Sequence, residues 1–232
     1  MDALIENIEQ ARNYIYNFTV YKTKTVDQEI LFNNLENCEN IALQYNDKKL
    51  LIHTRIFLTD YYIQINDIET ALKIAVDNKN LAEHEKLEQE QLNCYSGLLN
   101  IYHQLGDYSS LEELLSIYRE KSLQSNNLNR VCTLYIYSAI QYFTLKELKK
   151  CIESHEKALE YALKLNNTQL LIHVYNNYGF HAIHYDWNLA HDLLSKCLTL
   201  IKEQEASTDQ FSLAAAYINL ADLYILKNDY IK

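Results

Sequence analysis

With 232 residues, 48% of them hydrophobic, the chain can bury a substantial core, which argues against a disordered segment. A net charge of −10 and a pI near 5.3 argue against a nucleic-acid binder, because phosphate affinity comes from clustered Lys and Arg; Tyr21-Lys22-Thr23-Lys24 is too short to supply it. No window approaches the roughly 18 apolar residues of a membrane span, the start Met1-Asp2-Ala3-Leu4-Ile5-Glu6 is not a secretion signal, and five scattered cysteines without a Cys-x-x-Cys pair read as reduced packing residues, so a cytoplasmic chain is expected.

No proline and only three glycines leave little of the turn chemistry that many short strands need. The apolar residues instead follow a 3.6-residue period, as in Leu98, Leu99, Ile101, Tyr102 and Leu105 and then Leu111, Leu114, Leu115 and Tyr118. In chain order this predicts helices over 2–18, 28–45, 48–65, 68–80, 88–105, 109–124, 128–144, 148–165, 168–184, 188–203 and 210–227, an all-α chain of about eleven helices. Short polar corners separate them. At Leu105-Gly106-Asp107-Tyr108 the glycine is free to take positive φ, and Ser109 stands three before Glu112 as in a capping box. Asn66 and Asn228 are expected to fill the glycine's place at their corners, since asparagine tolerates the left-handed region.

The chain also matches itself. Ala42 to His53 agrees with Ala162 to His173 at seven of twelve positions, at an offset of 120, three periods of forty. An acidic residue recurs at Asp27, Asp67, Asp107, Glu147, Asp186 and Asp229, with gaps of 40, 40, 40, 39 and 43. Tyr62, Tyr102, Tyr142 and Tyr224 lie five residues before such a landmark, and the compact Ala71, Leu111, Cys151 and Ala190 lie four after. The tyrosines are expected to fill gaps between helices, and truncating Tyr102 to Ala would then cost roughly 3 kcal/mol.

Leu98 to Tyr108 and Leu220 to Tyr230 resemble the tetratricopeptide repeat (TPR) in their Leu-small-x-x-Tyr pattern, with Gly-Asp-Tyr or Asn-Asp-Tyr following. Cys151, His155 and Ala158 stand at the family's small or medium second-helix positions. The resemblance covers nearly the whole chain, most weakly the first forty residues. It implies one TPR-like array over 1–232, a right-handed superhelical solenoid of antiparallel helical hairpins. The repeat is nearer forty residues than the usual 34 and lacks the closing proline. That is similar to long-repeat bacterial regulatory arrays, which precede diguanylate cyclase (GGDEF-type) output domains or serve as peptide-pheromone receptors and transcription regulators. HEAT and armadillo repeats share the length, but proline-bearing first helices would be expected of them.

No phosphate-cradling loop, nucleophile elbow or His-Glu-x-x-His motif is present, so the expectation is a binding scaffold with no catalytic residue, cofactor or metal. The best metal candidate, His181-x-x-His184 with Asp186 and His191, matches no standard ligand spacing. Repeat spacing sets His53, Asp60, Asn93, Ser96, Asn100, Gln104, Tyr175 and Asn176 on the first helices' inner face, with Thr133, Ile136 and Ile140 beside them. There Asn amides can both donate to and accept from an extended peptide. The expected partner is a protein or peptide in that groove, with neither nucleic acid nor membrane. The chain reads as stopping where a second helix should begin, which implies an output domain beyond residue 232 and leaves an apolar edge suited to a homodimer.

Overall fold

The computed structural model describes residues 5–18, 27–203 and 210–229. Among them are eleven helices and no strand: α1 Ile8–Tyr16, α2 Gln28–Gln44, α3 Lys48–Gln64, α4 Ile68–His84, α5 Glu88–Leu105, α6 Tyr108–Gln124, α7 Leu128–Thr144, α8 Leu148–Leu165, α9 Thr168–Ala182, α10 Trp187–Glu203 and α11 Gln210–Asp229. The chain is thus an all-α solenoid of helical hairpins. It divides into two compact units, Met1–Leu114 and Leu115–Lys232. In the first unit α1 packs on α2, α2 on α3, α3 on α4 and α4 on α5, and α3 also touches α5. In the second, α7 to α11 pack in the same successive order, with α9 against both α7 and α11. None of the described helices is long and apolar enough to cross a membrane.

The corners explain how this array manages without proline and with so little glycine. Positive φ recurs at Asn46, Asn66, Lys86, Gly106, Asn126, Lys146 and Asn166, every twentieth residue. At Asn46 the next amide, Asp47 N–H, reaches back to the Ala42 carbonyl at 2.9 Å while Asn46 N–H donates to Leu43. This double bond pattern of the Schellman motif recurs after Asn66, Lys86, Gly106, Lys146 and Asn166. The following residue then caps the next helix. Asp47 accepts from Leu50 N–H, Asp67 from Thr70, Asp107 from Ser110 and Asn167 from Leu170. Helix stop and helix start thereby share two residues, and a seventeen- or eighteen-residue helix plus its corner sets a twenty-residue step.

Several expectations are corrected. Asp107, not Ser109, caps α6, and Ser109 lies inside that helix. Helix α4 runs on to His84 rather than 80, because Asn78, 1% exposed, ties it to α3 by donating to the Ile52 carbonyl at 2.9 Å. Helix α11 continues through Asn228 and Asp229, so no corner forms there. Helix α1 begins at Ile8, and α9 ends at Ala182.

The compact series holds: Ala71, Leu111, Cys151 and Ala190 are all fully buried. The tyrosine series is less deep than expected. Tyr62, Tyr102 and Tyr142 are only partly buried and Tyr224 is exposed, so truncating Tyr102 falls short of a full core substitution. At Gly179 a Cβ would lie 2.7 Å from Leu194 Cγ, so α9 and α10 approach there more closely than any larger residue allows. All five cysteines are free and buried. Burial pushes the thiols of Cys38, Cys94 and Cys132 up to about 12 and those of Cys151 and Cys197 to about 11, which favours their protonated form.

Candidate functional site

The expected first-helix residues fall in both units. In the first, α3 carries His53 and Asp60, and α5 carries Asn93, Ser96, Asn100 and Gln104 at spacings of three and four, along one face. The two helices meet there: His53 Nε2 lies 3.8 Å from the buried Glu90 carboxylate of α5, and its ring stands edge-on to Tyr16. Burial lowers the His53 pKa from its ordinary value, although Glu90 pulls the other way. Asp60, Asn93 and Gln104 are exposed, while Ser96 and Asn100 are half-buried. Gln104 donates to Asn100 within the helix at 3.4 Å.

In the second unit the expected residues are already engaged. Asn176 accepts from Asn219 of α11 at 2.9 Å, and Tyr175 packs partly buried beside Ile172, Tyr178 and Cys197. Ile136 and Ile140 are buried in the core rather than facing a groove. The histidine group also comes apart. His184 and Asp186 are exposed, Asp186 capping α10 through Leu189 N–H, and His191 bonds Tyr224 Oη at 3.1 Å. His181 alone turns inward, toward Cys151 and His155 of α8.

A concave feature of the second unit lay outside the sequence reading. Arg119 and Leu123 of α6, Leu134, Tyr135, Ser138 and Tyr142 of α7, and Lys150, Glu153, Ser154 and Lys157 of α8 line a groove of ≈ 320 Å³. Its side chains are placed by helical periodicity. Tyr135 and Tyr142 are seven apart on α7 and Lys150 and Lys157 seven apart on α8, so each pair shares a face two turns long. Lys150 Nζ sits 5.3 Å from the centre of the Tyr142 ring, and Lys157 Nζ 5.1 Å from that of Tyr135. Tyr135 in turn stacks parallel on Tyr161 at 5.8 Å. Lys150 is held by Glu147, whereas Arg119 donates to Ser138 Oγ at 3.3 Å and pairs with no carboxylate among the described residues. Three cations against one carboxylate line the groove of a chain whose net charge is −10. The heptad-spaced Tyr and Lys pairs were the available signal, but Arg119 joins them only through packing.

No protein-family model and no curated protein matches this chain. Among solved structures, the crystal structure of BtubC (BKLC) from P. vanneervenii is similar over 84% of this chain and 81% of that one, with a TM-score of 0.61 and 21% identity. At that identity the likeness shows the fold, an all-helical repeat-like architecture, and nothing of the function.

Proposed function

We propose that the chain is a protein-interaction scaffold of the TPR type that holds an extended acidic peptide segment in the groove between α6, α7 and α8. The observation that carries this reading is the convergence of Arg119, Lys150 and Lys157 with Tyr135 and Tyr142 on one concave surface of an otherwise acidic chain. Arg119 offers a fork of donors to a carboxylate without first breaking an ion pair. The tyrosine faces hold the lysine side chains in place, so less side-chain entropy is lost on binding. The TPR assignment is supported by the forty-residue register of buried compact residues, on an all-helical fold that the solved neighbour shares. Through the family resemblance, the same reading makes the array a regulatory module of a bacterial signalling protein, with a diguanylate cyclase as output; a peptide-pheromone receptor or transcription regulator is the alternative.

The test is fluorescence anisotropy with labelled Asp/Glu-rich peptides, compared with Lys/Arg-rich ones, at low and high salt. Acidic peptides should bind selectively, more weakly as salt rises, and Arg119→Glu or Lys157→Glu should abolish binding. Selection of basic peptides, or binding indifferent to both reversals, rejects the groove. Loss on Asn100→Ala instead would move the ligand to the α3–α5 face of the first unit.

A further inference from the structure

The array can be compared with itself at the positions that pack its core. Eight residues after the acidic landmark of each hairpin stand Leu35, Ala75, Leu115 and Leu194, all buried and apolar; in the α7–α8 hairpin the same position is His155, with no exposure at all. Five residues before the landmarks stand Tyr62, Tyr102 and Tyr142; before Asp186 the position is His181, 3% exposed. The two departures meet. His155 Nε2 lies 2.7 Å from His181 Nδ1, and Cys151 Sγ lies 3.7 Å from the same nitrogen. The three ligand atoms lie within 4.8 Å of one another, and all three residues are buried.

An imidazole pair is a costly way to fill positions that leucine or alanine and a half-buried tyrosine fill elsewhere. Two polar rings lose their water, and the bond between them satisfies one nitrogen of each. His155 Nδ1 is buried with no hydrogen-bond partner. Whichever ring donates in the 2.7 Å contact, that nitrogen is left as a bare acceptor or an unpaired N–H, a further cost of placing the pair in the core. The rings are also held from behind. His155 stacks on Tyr178 at 4.5 Å and 8°, and His181 on Phe143 at 4.0 Å and 10°, so both ring planes are fixed.

We propose that Cys151, His155 and His181 form a binding site for a thiophilic d10 cation, Zn2+ or Cu+. One soft sulfur and two imidazole nitrogens are the donor set such ions select. Cys151 and His155 are four residues apart on one face of α8, and His181 completes the triangle from α9. Ordinary Zn–N and Zn–S bonds in a tetrahedron put two nitrogens about 3.3 Å apart and sulfur about 3.6 Å from nitrogen. The 3.7 Å thiol–imidazole edge already fits, and the 2.7 Å nitrogen pair has to open by about 0.6 Å, as expected when a shared proton is replaced by a larger ion. Binding converts the Cys151 thiol to a thiolate, its proton leaving to solvent, while the proton shared by the imidazoles moves to the far nitrogen of its own ring, His155 Nδ1 or His181 Nε2, so that both rings bind neutral.

The test uses the full chain, with ions supplied both to the folded protein and during refolding, since the site is closed in the native packing. Zn2+ and Co2+ form one arm; Cu+ under anaerobic conditions with a competing chelator forms the other. The expected result is one ion retained per chain, a higher thermal transition, and for cobalt a thiolate-to-metal charge-transfer band. All three should disappear in Cys151→Ala, which the fold accommodates because Ala71 and Ala190 occupy the equivalent positions. They should persist in Cys197→Ala, which removes a buried thiol elsewhere. Retention of zinc alone or copper alone names the ion. The proposal is overturned if wild type retains neither, or if Cys151→Ala keeps the ion and the band.

Discussion

The close approach of α9 and α10 can be tested with one substitution made at two places. An alanine methyl at Gly179 would stand 2.7 Å from Leu194 Cγ and 2.8 Å from Cδ2, whereas at Gly97, within α5, it would meet nothing within 4 Å. Carbon atoms pack best at about 3.5–4.0 Å, so the Gly179 methyl overlaps by about 1 Å. Leu194 cannot simply swing aside, because it is fully buried among Tyr178, Ala182, Leu193 and Leu223. Overpacking of this kind costs about 1–3 kcal/mol, while replacing glycine by alanine within a helix gains about 0.8–1 kcal/mol at either position. Gly97→Ala should therefore stabilise the first unit by about 1 kcal/mol, and Gly179→Ala should destabilise the second by about 1 kcal/mol. Urea unfolding measures both. Trp187, the single tryptophan, packs in the same cluster as Leu194 and reports on the second unit, and far-ultraviolet circular dichroism follows the whole chain. In a Leu194→Ala background the Gly179→Ala penalty should vanish. Equal stabilisation by the two single variants would refute the packing derived for Gly179.

Two further outcomes concern the corners and pH. Lys86 and Lys146 hold positive φ of 55° and 59°, a conformation that costs a residue with a Cβ about 1–2 kcal/mol. Lys86→Gly and Lys146→Gly should each raise the urea midpoint by the equivalent of roughly 0.5–1 kcal/mol after glycine's larger unfolded-state entropy is subtracted, and a lowered midpoint would contradict the corner geometry. Burial lowers the pKa values of His103 and His53 below the ordinary value. Below about pH 6.5 the unfolded chain takes up protons that these native imidazoles refuse, so stability falls as pH drops, by at most about 1.4 kcal/mol per pH unit per histidine. His103→Gln should flatten the decline in urea midpoints between about pH 6.5 and 5, and an unchanged slope would count against that burial.

Much of the fold was legible because it is periodic. Helix spacing, acidic landmarks and compact residues share one step, and the same set of choices is made at each hairpin, so errors in one place are corrected by the next. What escaped was the halved step at the corners. Asn46, Lys86, Asn126 and Lys146 take positive φ without glycine, and lysine gives no local hint that it will do so. The α4 end was missed for a related reason: the helix expected to stop at 80 is held past that point by Asn78, whose side chain is spent on the Ile52 carbonyl 26 residues away. Asn228 shows the converse. Its place in the repeat suggests a corner, but the α11 backbone remains helical there.

The candidate sites were harder to read because local sequence records residue types and not what they meet. The asparagines of α5 and α9 look alike as letters, yet Asn176 is bound to Asn219 while Asn100, among the described residues, accepts from Gln104 of its own helix. Arg119 belongs with Lys150 and Lys157 through packing, across three helices. A more general signal lay in the array's departures from its own pattern. A scaffold whose repeats agree at each packing position has no structural need for histidine at 155 and at 181. When two exceptions to the same register are brought within 2.7 Å of each other, beside a cysteine that itself fills a compact position, chance substitution would have had to strike paired positions on neighbouring helices. Local rules are broken where a protein does something besides fold, and in this chain the breakages converge on a single buried triangle.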